Sequence, residues 1–124
     1  MQETKFESVL NTANEGNGEL VIIRGGNSIT AGVKTPLILG VVAEGRYEGA
    51  VSNKFNPDKM DYKIRAENGT LFILAECAAL KRNFAEVTTG ELLRVSFEGK
   101  RSVVSKTLGK ISVNDYVVER AING

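Results

Sequence analysis

The 124-residue sequence predicts an all-β domain with one short internal helix, its strands closing into a small five-stranded barrel. Three observations predict it. Apolar and polar residues alternate over several short runs, the period of a half-buried strand. Asn68-Gly69 sits between two such runs, and this dipeptide tolerates the positive φ angles of a tight hairpin turn. One internal stretch, CAALKRNFAEV, instead spaces its apolar residues Cys77, Leu80, Phe84 and Val87 along one helix face.

Composition narrows the class. The length suits a single domain with one core, and 42% hydrophobic with 25% charged residues excludes a disordered chain. No run approaches the ~18 apolar residues of a membrane span. The opening MQETKFESVL lacks the apolar core of a secretory signal, and the lone Cys77 allows no internal disulfide. A cytoplasmic protein is expected. With no His, the commonest general base and metal ligand are missing, and one Cys supports no usual zinc site. GGNSITAG has glycines but not the Gly-Lys-Ser/Thr ending of a phosphate loop. Glu44 and Glu48 lie among cations and read as solvated charges. The expectation is a protein that binds rather than catalyses, with no cofactor and no metal.

Taken in order, KFESVLNTA groups Phe6, Val9 and Leu10 on one side of a short helix, and NEGNG breaks it. ELVIIRGGNS reads as a strand ended by two glycines. TPLILGVVAEGRYEGAV is a long β-rich run in which Gly40, Gly45 and Gly49 permit bends. NKFNPDKM is a loop, from its Asn-Pro-Asp turn chemistry. MDYKIRAENGTLFILAE is a hairpin. A two-residue turn pairs Arg65 with Phe72 and Ile64 with Ile73. Tyr62, Ile64, Ala66, Leu71, Ile73 and Ala75 then face the core, and Lys63, Arg65, Phe72 and Leu74 share the other face. Phe72 there either packs under the N-terminal segment or offers a ring beside two cations. After the helix, ELLRVSFEGKR alternates Leu93, Val95 and Phe97 inward. SVVSKTLGK is a polar, basic connection, ISVNDYVVERA a closing strand, and AING a frayed end.

This order, with a helix between the third and fourth strands, matches the Greek-key oligonucleotide/oligosaccharide-binding (OB) barrel. Residues 34–120 form the barrel, 1–33 an N-terminal extension that caps it or makes a dimer contact, and 121–124 the tail. The long loops flanking the binding face fall at 51–59 and 100–110. Between 94 and 110, Arg94, Lys100, Arg101, Lys106 and Lys110 face only Glu98, an excess that suits an anionic partner.

GTLFILAECAALKRNFAEVTTGELLRVSFEGK resembles the small single-stranded DNA-binding proteins of bacteriophages. Gly90, Arg94, Ser96, Phe97, Gly99 and Lys100 occupy the pattern of their fourth strand. The likeness covers about residues 60–101. The last strand departs from it, with only Tyr116 near the expected aromatic position, and no acidic tail follows Arg120. The resemblance implies non-specific single-stranded DNA binding in phage replication or recombination, in the host cytoplasm, with replication or recombination proteins as further partners. Lys63, Arg65, Arg94, Lys100, Arg101, Lys106 and Lys110 would neutralise phosphates. Phe72 would stack on bases, with Tyr47, Tyr116 and Phe97 as weaker platforms that also fit a core. Each stack is worth about 1–3 kcal/mol. Aromatics make up only 6% of the chain, so cooperative or dimeric binding is expected. A phage structural or adaptor barrel and an RNA-binding barrel are the competing readings, separable by the 2′-hydroxyl in the RNA case.

Overall fold

The computed structural model describes residues 18–121; the helix expected over KFESVLNTA and the end beyond Ala121 lie outside them. Eight strands and one helix follow in order: β1 (Leu20–Arg24), β2 (Asn27–Thr30), β3 (Val33–Pro36), β4 (Gly40–Ser52), β5 (Met60–Arg65), β6 (Leu71–Ala75), α1 (Ala78–Phe84), β7 (Leu92–Ser105) and β8 (Gly109–Arg120). They make one sheet in the order β3-β2-β1-β6-β5-β4-β7-β8, curled into a half-barrel with the core on its concave side. The fold is all-β with a short helix, as the alternation predicts. It has three strands more than the five expected, because residues 20–36 join the sheet as β1 to β3.

Those three strands form by local turn chemistry. The β1–β2 turn is Gly25-Gly26 (φ 61° and 79°) and the β2–β3 turn is Ala31-Gly32 (φ 51° and 81°). Two-residue hairpins of type I′ need positive φ at both central residues. The first strand of this unit then runs parallel to β6, pairing Leu20 with Leu71 and Ile23 with Leu74. Val21 and Ile23 enter the core by this ladder, while Leu20 and Ile22 face the convex side.

The 13-residue β4 is the long bent strand that the glycines predict. Its first half, from Gly40 to Arg46, pairs with β7; its second half, from Arg46 to Ser52, pairs with β5. Bulges after Val41 and Tyr47 bend the strand as it passes from one neighbour to the other. Gly45 sits at the crossing. A Cβ there would lie 2.2 Å from the Arg65 carbonyl oxygen, so only glycine lets β4 and the end of β5 approach.

The β5–β6 hairpin corrects the expected register by one residue. Arg65 pairs with Leu71 and Ile64 with Phe72. The Ala66 N–H donates to Thr70 O (2.8 Å), and the Gly69 N–H to Ala66 O (2.9 Å). The loop is thus three residues, Glu67 to Gly69, with Gly69 at φ 93° in the bulge position of a type I turn. The Thr70 N–H donates to Asn68 Oδ1 (3.0 Å), which stabilises this longer loop. A one-residue slip exchanges the faces of a strand. Leu74 and Phe72 therefore join Tyr62 and Ile64 on the concave side, and Leu71 and Ile73 turn outward with Lys63 and Arg65.

The core is built from Ile23, Ile64, Leu74, Leu80, Leu93 and Val95, all but fully buried, with Tyr47, Tyr62, Phe84, Phe97 and Tyr116 around them. The helix crosses the concave side as its apolar stripe predicts: Leu80 and Phe84 are buried, and Cys77 and Val87 pack against the cluster. The Phe84 ring stacks on Tyr62 of β5 (centroids 4.4 Å apart, 9° between planes) and meets Tyr47 of β4 at 5.1 Å. On its other side Asn83 Nδ2 donates to Tyr116 O on β8 (3.2 Å). The helix thus links β4 and β5 to β8 across the concave side.

Candidate nucleic-acid interface

The basic segment 100–110, expected as a loop, is a β-ribbon. Past Phe97 β7 loses its pairing with β4, and β7 and β8 pair only with each other, from Gly99 opposite Asp115 to Ser105 opposite Gly109. The reason is visible in SVVS and KISV: both are alternating, β-branched runs. The Ser105 hydroxyl accepts from Thr107 N (3.3 Å) and Leu108 N (3.1 Å), and Gly109 (φ 75°) returns the chain. The tip exposes Val104 and Leu108. Residues 99–114 contain four cations, Lys100, Arg101, Lys106 and Lys110, and no carboxylate.

Pairing also sorts these cations. Lys100 lies opposite Asn114, Ser102 opposite Ser112, and Val104 opposite Lys110, so both lysines share one face of the ribbon with two hydroxyls. Arg101 lies on the other face, where its Nε is 3.3 Å from Asp115 Oδ2. Lys106 occupies the tip. The exposed lysine face continues the concave side of the half-barrel, since Tyr116 and Asn114 of β8 alternate inward.

The other predicted cations sit on the convex face and are differently engaged. Arg65 Nε is 3.1 Å from Glu48 Oε2, and its Nη1 donates to Gly69 O (3.2 Å), locking it between the β4 bulge and the hairpin loop. Arg94 Nη2 is 3.1 Å from Glu44 Oε2. Each exposed pair contributes little stability, but it cancels charge locally. Lys63 shares this face, beside Ile73 and opposite the Gly49 end of β4. The structure thus gathers Lys100, Lys106 and Lys110 on the ribbon and separates them from Lys63, Arg65 and Arg94.

The aromatic candidates are corrected. Tyr47 and Tyr116 are core residues, the first against Phe84 and the second with its ring 5.4 Å from Phe97. Burial pushes the Tyr47 phenol up, and raises Tyr62 and Tyr116 to about 12, with the Glu76 carboxylate adding to the effect at Tyr62. Phe72 lies on the concave face beside Ile64, packed against the core, not beside Arg65. For Phe72 the register decides: one step along the hairpin moves its ring from the outer face to the core side.

Two residues of interest escaped the sequence reading. Phe55, in the β4–β5 loop, is 85% exposed, with Lys54 Nζ 5.8 Å from its ring centre. Arg24 ends β1 and lines a cleft with it. Next to Arg24, the Gly25-Gly26 turn reaches β8, where a Cβ on Gly26 would lie 3.2 Å from Asn114 Oδ1. The signal for Phe55 was an aromatic between a lysine and Asn-Pro in a loop, where no core reading competes. The described residues hold no cluster of three His, Cys, Asp or Glu able to bind a metal, and no helix long and apolar enough to cross a membrane. No protein-family model matches the chain, and comparison with curated proteins and with solved structures gives no match.

Proposed function

We propose that this chain binds single-stranded DNA without sequence preference, using an OB-like half-barrel whose β7–β8 ribbon lies along the sugar-phosphate backbone. The observation that carries the reading is the ribbon itself: four cations over residues 99–114 against one carboxylate at its base, Asp115, which pairs with Arg101 and leaves Lys100 and Lys110 on one hydroxyl-lined face. Backbone-tracking proteins draw most of their affinity from releasing condensed counterions, and such a surface neutralises phosphates without reading bases. Ser102 and Ser112 supply short donors between the lysines. The order of β4 to β8, with α1 between β6 and β7, supports the OB-like comparison, because it puts the bent strand between its two neighbours as that barrel requires. A second copy would double the cationic surface, which a chain of this modest charge would use to hold longer strands.

The test is anisotropy of a labelled oligo-dT at low and high salt. Binding that weakens steeply with salt supports the proposal. Failure to bind at low salt ends it. Competition with oligo-rU separates DNA from RNA, since a DNA binder of this kind has no donor reserved for the 2′-hydroxyl.

A further inference from the structure

Resting on the strand-binding reading, we propose that Phe55 is its base-stacking platform: a phenyl ring on the β4–β5 loop that takes a nucleobase of single-stranded nucleic acid, with Lys54 and Arg24 on the flanking phosphates.

The loop is built to present this ring. Asn53 anchors it from three sides. Its Oδ1 accepts from Phe55 N and Asn56 N (both 2.9 Å), its Nδ2 donates to the Asp61 carboxylate (3.2 Å), and its own N–H donates to Lys59 O (2.8 Å). The Lys59 N–H closes the turn on Asn56 O at 2.9 Å, and Pro57 fixes one further φ. A ring 85% in water adds nothing to the core, yet the backbone beneath it is held by four hydrogen-bond donors. Tyr47, Tyr62, Phe72, Phe84, Phe97 and Tyr116 all pack in or against the core, which leaves Phe55 as the exposed aromatic among the described residues.

The surroundings fit a base attached to a phosphate. A cleft of about 350 Å³ beside the ring is lined by Arg24, Asn53, Lys59, Met60 and Glu76. Its carboxylates are occupied within the fold. Asp61 holds Asn53, and Glu76 accepts from Met60 N (2.9 Å) and lies 4.0 Å from Lys59 Nζ. Lys54 Nζ lies 5.8 Å from the ring centre and Arg24 lines the cleft, while the Gly25-Gly26 turn brings the chain after Arg24 against Asn114 at the base of the lysine ribbon. One strand could thus run from the ribbon past Arg24 to Phe55. Stacking on a single ring tolerates any base, in keeping with binding that lacks sequence preference.

The chain contains no Trp, so Phe55→Trp places one reporter at the site. Its fluorescence should be quenched on titration with oligo-dT, and Phe55→Ala should weaken oligo-dT binding roughly 5- to 150-fold at unchanged melting temperature. Phe55→Leu keeps apolar bulk without a π face and should behave as Phe55→Ala does. If the wild type binds oligo-dT but Phe55→Ala matches it within about twofold, or Phe55→Leu restores full affinity, or the Trp stays unquenched, the platform is overturned while strand binding stands. If the wild type binds no oligo-dT, both proposals fail together.

Discussion

Neutralising the lysine face of the ribbon gives the sharpest test of how strand binding would work. Lys100 and Lys110 are exposed and lie on one face of β7–β8, so the double substitution Lys100→Gln, Lys110→Gln removes charge without touching the core. For single strands each neutralised phosphate adds about −0.7 to the slope of log affinity against log salt. Arg101 is held by Asp115 at 3.3 Å, which leaves Lys100, Lys106 and Lys110 as the ribbon's available cations. Their contribution to the slope is about −2.1, and in the double variant about −0.7. Between about 50 and 200 mM salt, the ribbon should therefore cost the wild type about 18-fold in affinity and the variant about threefold. Anisotropy titrations of labelled oligo-dT at four salt concentrations measure both slopes, with circular dichroism checking that the fold is kept. Parallel slopes would refute the assignment, because they would mean that phosphates do not meet this face. The paired arginines Arg65 and Arg94 would then be the place to look.

Two further outcomes follow from the core. Leu74 is fully buried and Ile73 only partly buried on the other face, so Leu74→Ala should cost about 2–5 kcal/mol in urea unfolding and Ile73→Ala distinctly less; the reverse order would restore the two-residue hairpin register. Every tyrosine of the chain is buried, with Tyr62 and Tyr116 raised to about 12 and Tyr47 raised as well. An unfolded phenol ionises near 10. Above that pH the unfolded state releases protons that the native state keeps, so stability is complete below about 10 and is lost as pH climbs towards 12. Spectrophotometric titration should show little phenolate at pH 10, then a rise that coincides with unfolding; three tyrosines titrating at the ordinary value in folded protein would contradict their burial.

Strand order was legible where one face is polar. Leu93, Val95 and Phe97 alternate with Arg94 and Ser96, and all three are buried as that pattern requires. The helix stripe through Leu80 and Phe84 was equally clear. LFILA was not, because a strand apolar on both faces carries no register, and either phase buries leucine. Only the three-residue loop, fixed by Asn68 and Gly69 together, decides it. β1 was legible as a strand in ELVIIRGGNS, but its partner, and β2 and β3 after it, were hidden for a different reason. Their short runs look like an extension until β1 finds β6, a partner some fifty residues away that no local pattern announces. At the candidate site the cations were visible as a charge excess, but the hairpin that sorts them was not. Phe55 carries no such signal, because it lies in a loop without alternation.

The parallel ladder between β1 and β6 also has a consequence for self-association. LFILA is β-prone, uncharged and without proline, the composition that templates intermolecular strand pairing when its edge lies open. β1 occupies that edge, and the next two strands carry the sheet outward until it ends on Val33-Lys34-Thr35-Pro36. That final edge is four residues long, holds a lysine and closes on a proline that has no N–H to offer. The N-terminal hairpins thus exchange an adhesive border for a short, proline-closed one, and it is the docking of residues 20–36 on β6 that withdraws LFILA from pairing with another chain.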